Sequence, residues 1–186
     1  MSELQLQALP LAGLFSLRHR RHADARGQFS RLFCEGSLSA FGQPLHIRQI
    51  NHSCTAERGS VRGLHYQTAA QPEAKLITCL RGSVWDVAVD LNPDSATFLH
   101  WHAEHLVAGD GRSLLIPAGF AHGFQALSDD AELLYLHSAD YAPEHEAGLS
   151  VQDPRLDIAW PLPVKNLSVR DASHPLLTPS FAGVRL

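Results

Sequence analysis

Short β-prone segments, each closed by turn-forming residues, constrain this chain more than any other feature. The clearest is Val84-Trp85-Asp86-Val87-Ala88-Val89-Asp90, where Trp85, Val87 and Val89 alternate with Asp86, Ala88 and Asp90. Successive side chains on a strand point to opposite faces, so a period of two predicts a strand with one face in a core. Just upstream, residues 75–80 are β-prone and Arg81-Gly82-Ser83 supplies a tight turn, which together predict a hairpin. Further β-prone stretches lie at 45–50, 98–106, 113–116, 123–127 and 133–137. Between them fall turn formers such as Asn92-Pro93-Asp94, Gly109-Asp110-Gly111 and Ser128-Asp129-Asp130. Helix signal is thin, with short helices expected at 34–41 and 153–158. Strands this short and this regularly punctuated favour an all-β closed or double-sheet architecture, a jelly roll or a sandwich.

The 186 residues suit one domain with a buried core, and no repeat or linker divides them. A hydrophobic share of 45% with 18% charged residues reads as globular. Fifteen basic against nineteen acidic residues leave a formal charge of −4, which argues against binding along a nucleic-acid backbone. A local arginine cluster is still enough for one diphosphate. Cys34, Cys54 and Cys79 are odd in number and lack CxxC spacing, so reduced thiols and a cytoplasmic location are expected. No signal peptide or membrane-spanning segment is read at the amino terminus.

A jelly roll encloses a pocket, so polar residues that strand patterning cannot explain are the informative ones. Arg62-Gly63-Leu64-His65-Tyr66-Gln67 is expected to set Arg62 and Leu64 on one face, Gly63 and His65 on the other. Lys75 opens the next strand, His122 sits among small and aromatic residues, and Tyr135 interrupts Leu133-Leu134-Tyr135-Leu136. Singly, His65 reads as a hydrogen-bonded structural histidine and Tyr135 as a core aromatic. Their joint occurrence is harder to dismiss.

Along nearly its whole length the chain resembles the dTDP-4-dehydrorhamnose 3,5-epimerase family. The matching stretches begin with Asp24-Ala25-Arg26-Gly27, Gln49-Ile50-Asn51-His52-Ser53 and Arg62-Gly63-Leu64-His65-Tyr66-Gln67. Lys75-Leu76, Trp85-Asp86-Val87-Ala88-Val89-Asp90 and Ile116-Pro117-Ala118-Gly119-Phe120-Ala121-His122-Gly123-Phe124 follow. Glu132-Leu133-Leu134-Tyr135, Tyr141-Ala142-Pro143, Trp160-Pro161 and Leu167-Ser168-Val169-Arg170-Asp171 complete the series. The resemblance implies a single cupin-like domain over 1–186, with an amino-terminal arm of about 1–45 pairing with a homodimer partner. It implies a reaction without metal or other cofactor, on a nucleotide-diphosphate 4-keto-6-deoxy sugar.

By that resemblance His65 is the base and Asp171 orients it, since a carboxylate on one ring nitrogen fixes the tautomer. Lys75 stabilises the enolate, and Tyr135 donates a proton to the opposite face, its ordinary pKa of about 10 keeping it protonated. A carbon acid beside a ketone needs such a pairing of base and charge stabilisation. Arg26 and Arg62 are expected at the diphosphate, Gln49 and Asn51 on the nucleotide, and Tyr141 stacked on the base. His122 is expected on the sugar or phosphate, with Glu146 and Arg170 as further contacts.

Two departures stand out. Arg31 occupies a position where the family places a glutamate, and Ile50 replaces an aspartate between Gln49 and Asn51. The reversal at Arg31 points to changed substrate specificity, at a different sugar or nucleotide or at one carbon only. The rival readings are a metal-dependent cupin using His100-Trp101-His102 with Glu104 and His105 following, and a non-catalytic nucleotide-sugar binder.

Overall fold

The computed structural model describes residues 3–40 and 43–186. Its strands are β1 (Leu4–Ala8), β2 (Phe15–His19), β3 (Arg21–Asp24), β4 (Gly27–Ser30), β5 (Gln49–Thr55), β6 (Val61–Gln67) and β7 (Lys75–Arg81). They continue as β8 (Ser83–Asp90), β9 (Trp101–Val107), β10 (Arg112–Ile116), β11 (Phe120–Ala126), β12 (Ala131–His137) and β13 (Glu146–Gly148). Two short helices, α1 (Glu35–Ala40) and α2 (Val169–Ala172), accompany them. A six-stranded sheet, β1-β2-β10-β7-β12-β5, faces a five-stranded one, β13-β6-β11-β8-β9, and β3-β4 forms a separate hairpin. The two antiparallel sheets make the jelly roll that the punctuation of the sequence favoured.

Period-two alternation sorts the side chains into three apolar clusters. Inside the roll, Ile77, Cys79, Leu114 and Leu133 of one sheet meet Val84, Ala88, Leu106, Phe120 and Phe124 of the other. Outside the six-stranded sheet, Leu17, Leu76, Leu115 and Leu136 are covered by Leu38 of α1 and by Leu45. Outside the five-stranded sheet, Leu149, Val151, Leu156, Leu177 and Val184 cover Val61, Leu64, Val87, Val89 and Ala121. Burying one such side chain stabilises by roughly 1.5–3 kcal/mol, so the covering segments hold both sheets in place.

These covers correct the reading of residues 84–90. Val87 and Val89 do face a core, but Asp86 and Asp90 on the other face are fully buried as well. That second face is the inside of the roll. The expected hairpin is also absent: β7 pairs with β10 and β12, whereas β8 pairs with β11 and β9. Both edges of β7 are taken, and Gly82, with φ of +69°, turns the chain across to the other sheet.

α1 falls within the expected 34–41, of which Phe41 lies outside the described residues. No helix forms at 153–158. There Asp153 Oδ1 accepts from the backbone N–H of Arg155 and of Leu156, and Asp157 adopts a φ of +46°, which ends any right-handed turn. α2 has no counterpart among the helices expected from the sequence, although Ser168 caps it, its Oγ accepting from the Asp171 N–H at 3.0 Å.

Strict alternation fails once more where it matters most. Opposite β11, His65 aligns with His122 but Arg62 with Phe124, so β6 carries one extra residue. This bulge brings Arg62 and His65 to the same cavity, while Leu64 packs in the outer core. Gly63 sits in the bulge with φ of +129°, and a Cβ there would lie 2.6 Å from Gly123 Cα. Only glycine fits.

The three cysteines are free, and no described helix is long and apolar enough to cross a membrane.

Candidate active site

The apolar filling of the roll stops short of one end, where polar side chains from both sheets surround a cavity of about 280 Å³. Gln49, Asn51 and Ser53 of β5, Lys75 of β7, and Tyr135 and His137 of β12 line it from the six-stranded sheet. Arg62, His65 and Gln67 of β6, with His122 and Phe124 of β11, line it from the other. Tyr141 and Glu146 also border it. His65 and Tyr135, assigned to one site by resemblance, thus reach the same space from facing sheets.

His65 Nε2 lies 2.9 Å from Asp171 Oδ1, and Asp171 Oδ2 accepts from the Gly63 N–H at 3.2 Å. Because the carboxylate accepts at Nε2, that nitrogen carries the proton and Nδ1 keeps its lone pair. Burial holds the His65 pKa below its ordinary 6.5, and the nearby Lys75 ammonium acts the same way, against the opposing pull of Asp171. Burial alone would raise Asp171; its hydrogen bond with His65, helped by Gly63, outweighs this and keeps the carboxyl ionised below its usual range. The ring of His174 meets that of His65 edge-on at 5.4 Å.

Burial drives the Tyr135 hydroxyl well above the ordinary phenol range, so it stays protonated; Ser53 Oγ donates to it at 3.5 Å. His122 faces the Tyr135 ring edge-on at 6.0 Å and is anchored at Nε2, 3.0 Å from both oxygens of the fully buried Asp86. At the cavity mouth, Gln49 Oε1 accepts from the Tyr141 N–H at 2.7 Å, and Arg170 pairs with Glu146 at 2.7 Å. Arg62 donates to the Cys54 carbonyl at 2.9 Å.

Two expected binding residues stand elsewhere. Arg26, at the turn of the β3-β4 hairpin, is paired with Asp24 and its side chain is 91% exposed. Arg31 follows β4, and its carbonyl faces His19 Nδ1 at 2.9 Å. Neither lines the cavity of its own chain. Ile50 is 63% exposed and does not line it either, because neighbouring residues on β5 alternate and Asn51 takes the inward position.

Glu73, His137, Ser53, Gln67 and Asp86 were overlooked as site residues. All but Asp86 lie two residues from an expected one: Glu73 from Lys75, His137 from Tyr135, Ser53 from Asn51, Gln67 from His65. Strand periodicity applied to Tyr135, Asn51 and His65 finds His137, Ser53 and Gln67, whereas Glu73 lies before β7 begins at Lys75.

Among the described residues, two groups bring three donor atoms within 4.8 Å of one another: His52, Cys54 and Glu132, and His65, Asp171 and His174. His100 and His102 belong to neither, and His102 Nε2 lies 2.8 Å from Glu104 Oε1.

The cavity of this cupin-type jelly roll thus holds a carboxylate-backed imidazole on one sheet and a protonated phenol with an ammonium group on the other. The chain belongs to the dTDP-4-dehydrorhamnose 3,5-epimerase family, whose sequence model matches residues 8–179. A dTDP-4-dehydrorhamnose 3,5-epimerase of Sinorhizobium fredii is 38% identical, covering 95% of this chain and 91% of the relative. A dTDP-4-dehydrorhamnose 3-epimerase of Streptomyces niveus is also 38% identical, covering 94% of this chain and 84% of the relative. The crystal structure of a dTDP-6-deoxy-D-glucose-3,5-epimerase from Legionella pneumophila, in complex with dTDP-4-keto-L-rhamnose, superposes with a TM-score of 0.91. That protein is 34% identical, with 98% of each chain covered. The chain is therefore an epimerase.

Proposed function

We propose that this epimerase acts on a dTDP-4-keto-6-deoxyhexose and inverts one or both of the carbons flanking its ketone, C3 and C5. His65 Nδ1 takes the proton from the carbon, and the bonding pair moves through the carbonyl to leave an enolate oxygen. The Lys75 ammonium stabilises that oxygen as a point charge. The Tyr135 hydroxyl then delivers its proton to the opposite face of the same carbon as the enolate collapses. The imidazolium and phenolate left behind are reset by exchange with solvent. The observation that carries this reading is the presence of His65, held by Asp171, and the protonated Tyr135 hydroxyl in one cavity.

Arg62 suits the diphosphate, Gln49, Asn51 and Tyr141 the nucleoside, and His122 the sugar or phosphate. Glu146 and Arg170 frame the entrance. We further propose a homodimer in which the β3-β4 hairpin of one copy, with Phe29 67% exposed at its surface, covers the other copy's cavity. That arrangement would supply Arg26 and Arg31 where the single chain does not. Arg31, in place of a carboxylate, then meets the substrate with reversed charge and alters which sugar is turned over.

Turnover of dTDP-4-keto-6-deoxyglucose in deuterated water, followed by proton NMR, tests the reading. One solvent deuterium is expected at each carbon that inverts. Inversion without deuterium uptake would contradict proton transfer, and full-rate exchange at both carbons would remove the proposed change in specificity.

A further inference from the structure

Glu73 and His137 take no part in the reaction proposed above, yet both are buried polar groups on the cavity wall. The Glu73 side chain is 7% exposed, and its Oε2 lies 3.2 Å from Lys75 Nζ. Its Oε1 accepts from His137 Nδ1 at 2.8 Å. Burying a carboxylate costs free energy unless its partners compensate, and here both oxygens are engaged. With Nδ1 donating to Glu73, His137 keeps Nε2 as an acceptor, and Asn51 Nδ2 donates to it at 3.3 Å. The His137 ring stacks on that of Tyr135, with centroids 5.9 Å apart and planes inclined by 17°. Across the sheet, His137 stands directly opposite Lys75. One carboxylate therefore ties a flexible cation to the aromatic that packs against the phenol.

We infer that Glu73 and His137 form a positioning unit that fixes the Lys75 ammonium and the Tyr135 ring relative to one another. The inference rests on the roles proposed for Lys75 and Tyr135. A lysine head on four methylenes has many accessible positions, and displacement of about 1 Å at a reacting centre can cost 100-fold in rate. When the substrate enters, its diphosphate becomes a second anion that competes for the lysine. Glu73 holds the ammonium back. Without it, Lys75 pairs with the phosphates, an interaction made equally in the ground and transition states, which does nothing for the chemical step.

The test measures kcat and KM on dTDP-4-keto-6-deoxyglucose for Glu73→Gln, Lys75→Met and the double variant, alongside their thermal unfolding. Glu73→Gln is expected to lower kcat by about 10- to 100-fold with KM unchanged or reduced. The double variant is expected to match Lys75→Met alone, because Glu73 acts through the lysine. His137→Phe keeps the stacked ring but loses both hydrogen bonds, and is expected to lower kcat in the same way. It keeps the test decisive should Glu73→Gln fold poorly. If Lys75→Met is crippled while Glu73→Gln and His137→Phe remain within about twofold of the parent, the positioning unit is refuted and the role of Lys75 survives. Multiplicative loss in the double variant also refutes it. A Lys75→Met enzyme with undiminished kcat overturns the proposed role of the lysine and this inference with it.

Discussion

Replacing His65 with Asn is expected to lower kcat/KM by about 10²- to 10⁴-fold and to stop solvent deuterium entering the sugar, while nucleotide binding persists. Asparagine is polar and smaller than histidine, so it fits the same space and leaves the β6 bulge and the cavity wall in place, although its amide ends short of Asp171, which holds the far ring nitrogen Nε2. What disappears is the basic lone pair on Nδ1. Titration of dTDP binding separates the two effects: unchanged affinity with no exchange is the expected result, and lost affinity would mean that His65 holds substrate instead. In the parent enzyme the same group is expected to set the acid side of the pH profile. Burial, then Lys75, depress its pKa below 6.5, so the neutral base persists to more acidic pH than an exposed histidine would allow. kcat/KM is therefore expected to fall only below pH 6.5, and an acid limb near neutrality would contradict the assignment. Linkage has the matching sign. The unfolded chain binds the proton more readily, so the contribution of His65 to stability is complete above pH 6.5 and is lost as the pH falls through its folded value.

Tyr135→Phe has a different signature. The hydroxyl is the group proposed to protonate from the side opposite His65, and its burial keeps it in the acid form at any physiological pH. Phenylalanine preserves the contacts with His122 and His137, so the fold is expected to tolerate the change. Inversion should fall by about 10²- to 10⁴-fold. His65 can still remove the proton and return a solvent-derived one to the face it came from, so deuterium wash-in at the starting configuration is expected to outlast inversion. Exchange and inversion falling together, as in His65→Asn, would show that Tyr135 does not act after proton removal. An enzyme that inverts at the parental rate would take it out of the mechanism.

The architecture was largely legible because turn residues and β-branched runs are local signals. Strand positions near 113–116, 123–127 and 133–137 coincide with β10, β11 and β12. Partner choice was not legible. Nothing local says whether Gly82 folds β8 back onto β7 or sends it to the other sheet, and occupation of both edges of β7 by β10 and β12 decides it. The same limit hid the burial of Asp86: its face looked solvent-exposed until β8 was seen covered on both sides.

The site was read by family resemblance at His65, Lys75, Tyr135 and Asp171, and folding brings all four together. Asp171 is 106 positions from His65 and could not have been paired with it by spacing. The bulge at Gly63 defeated alternation, because an extra residue on one strand is invisible in a single chain's pattern. Arg26 and Arg31 mark the other boundary. Arg26 sits at the turn of, and Arg31 just after, a hairpin whose two strands form a sheet of their own, apart from the strands that line the cavity.

The most direct test is a crystal structure of the protein with an unreactive dTDP-linked hexose, in which the positions of His65 and Tyr135 about the pyranose are measured. The account requires the ring to lie between them, with His65 Nδ1 above one face of an inverting carbon and the Tyr135 oxygen below the other. Both groups on the same side of the sugar, or a sugar lodged outside their shared cavity, would contradict it.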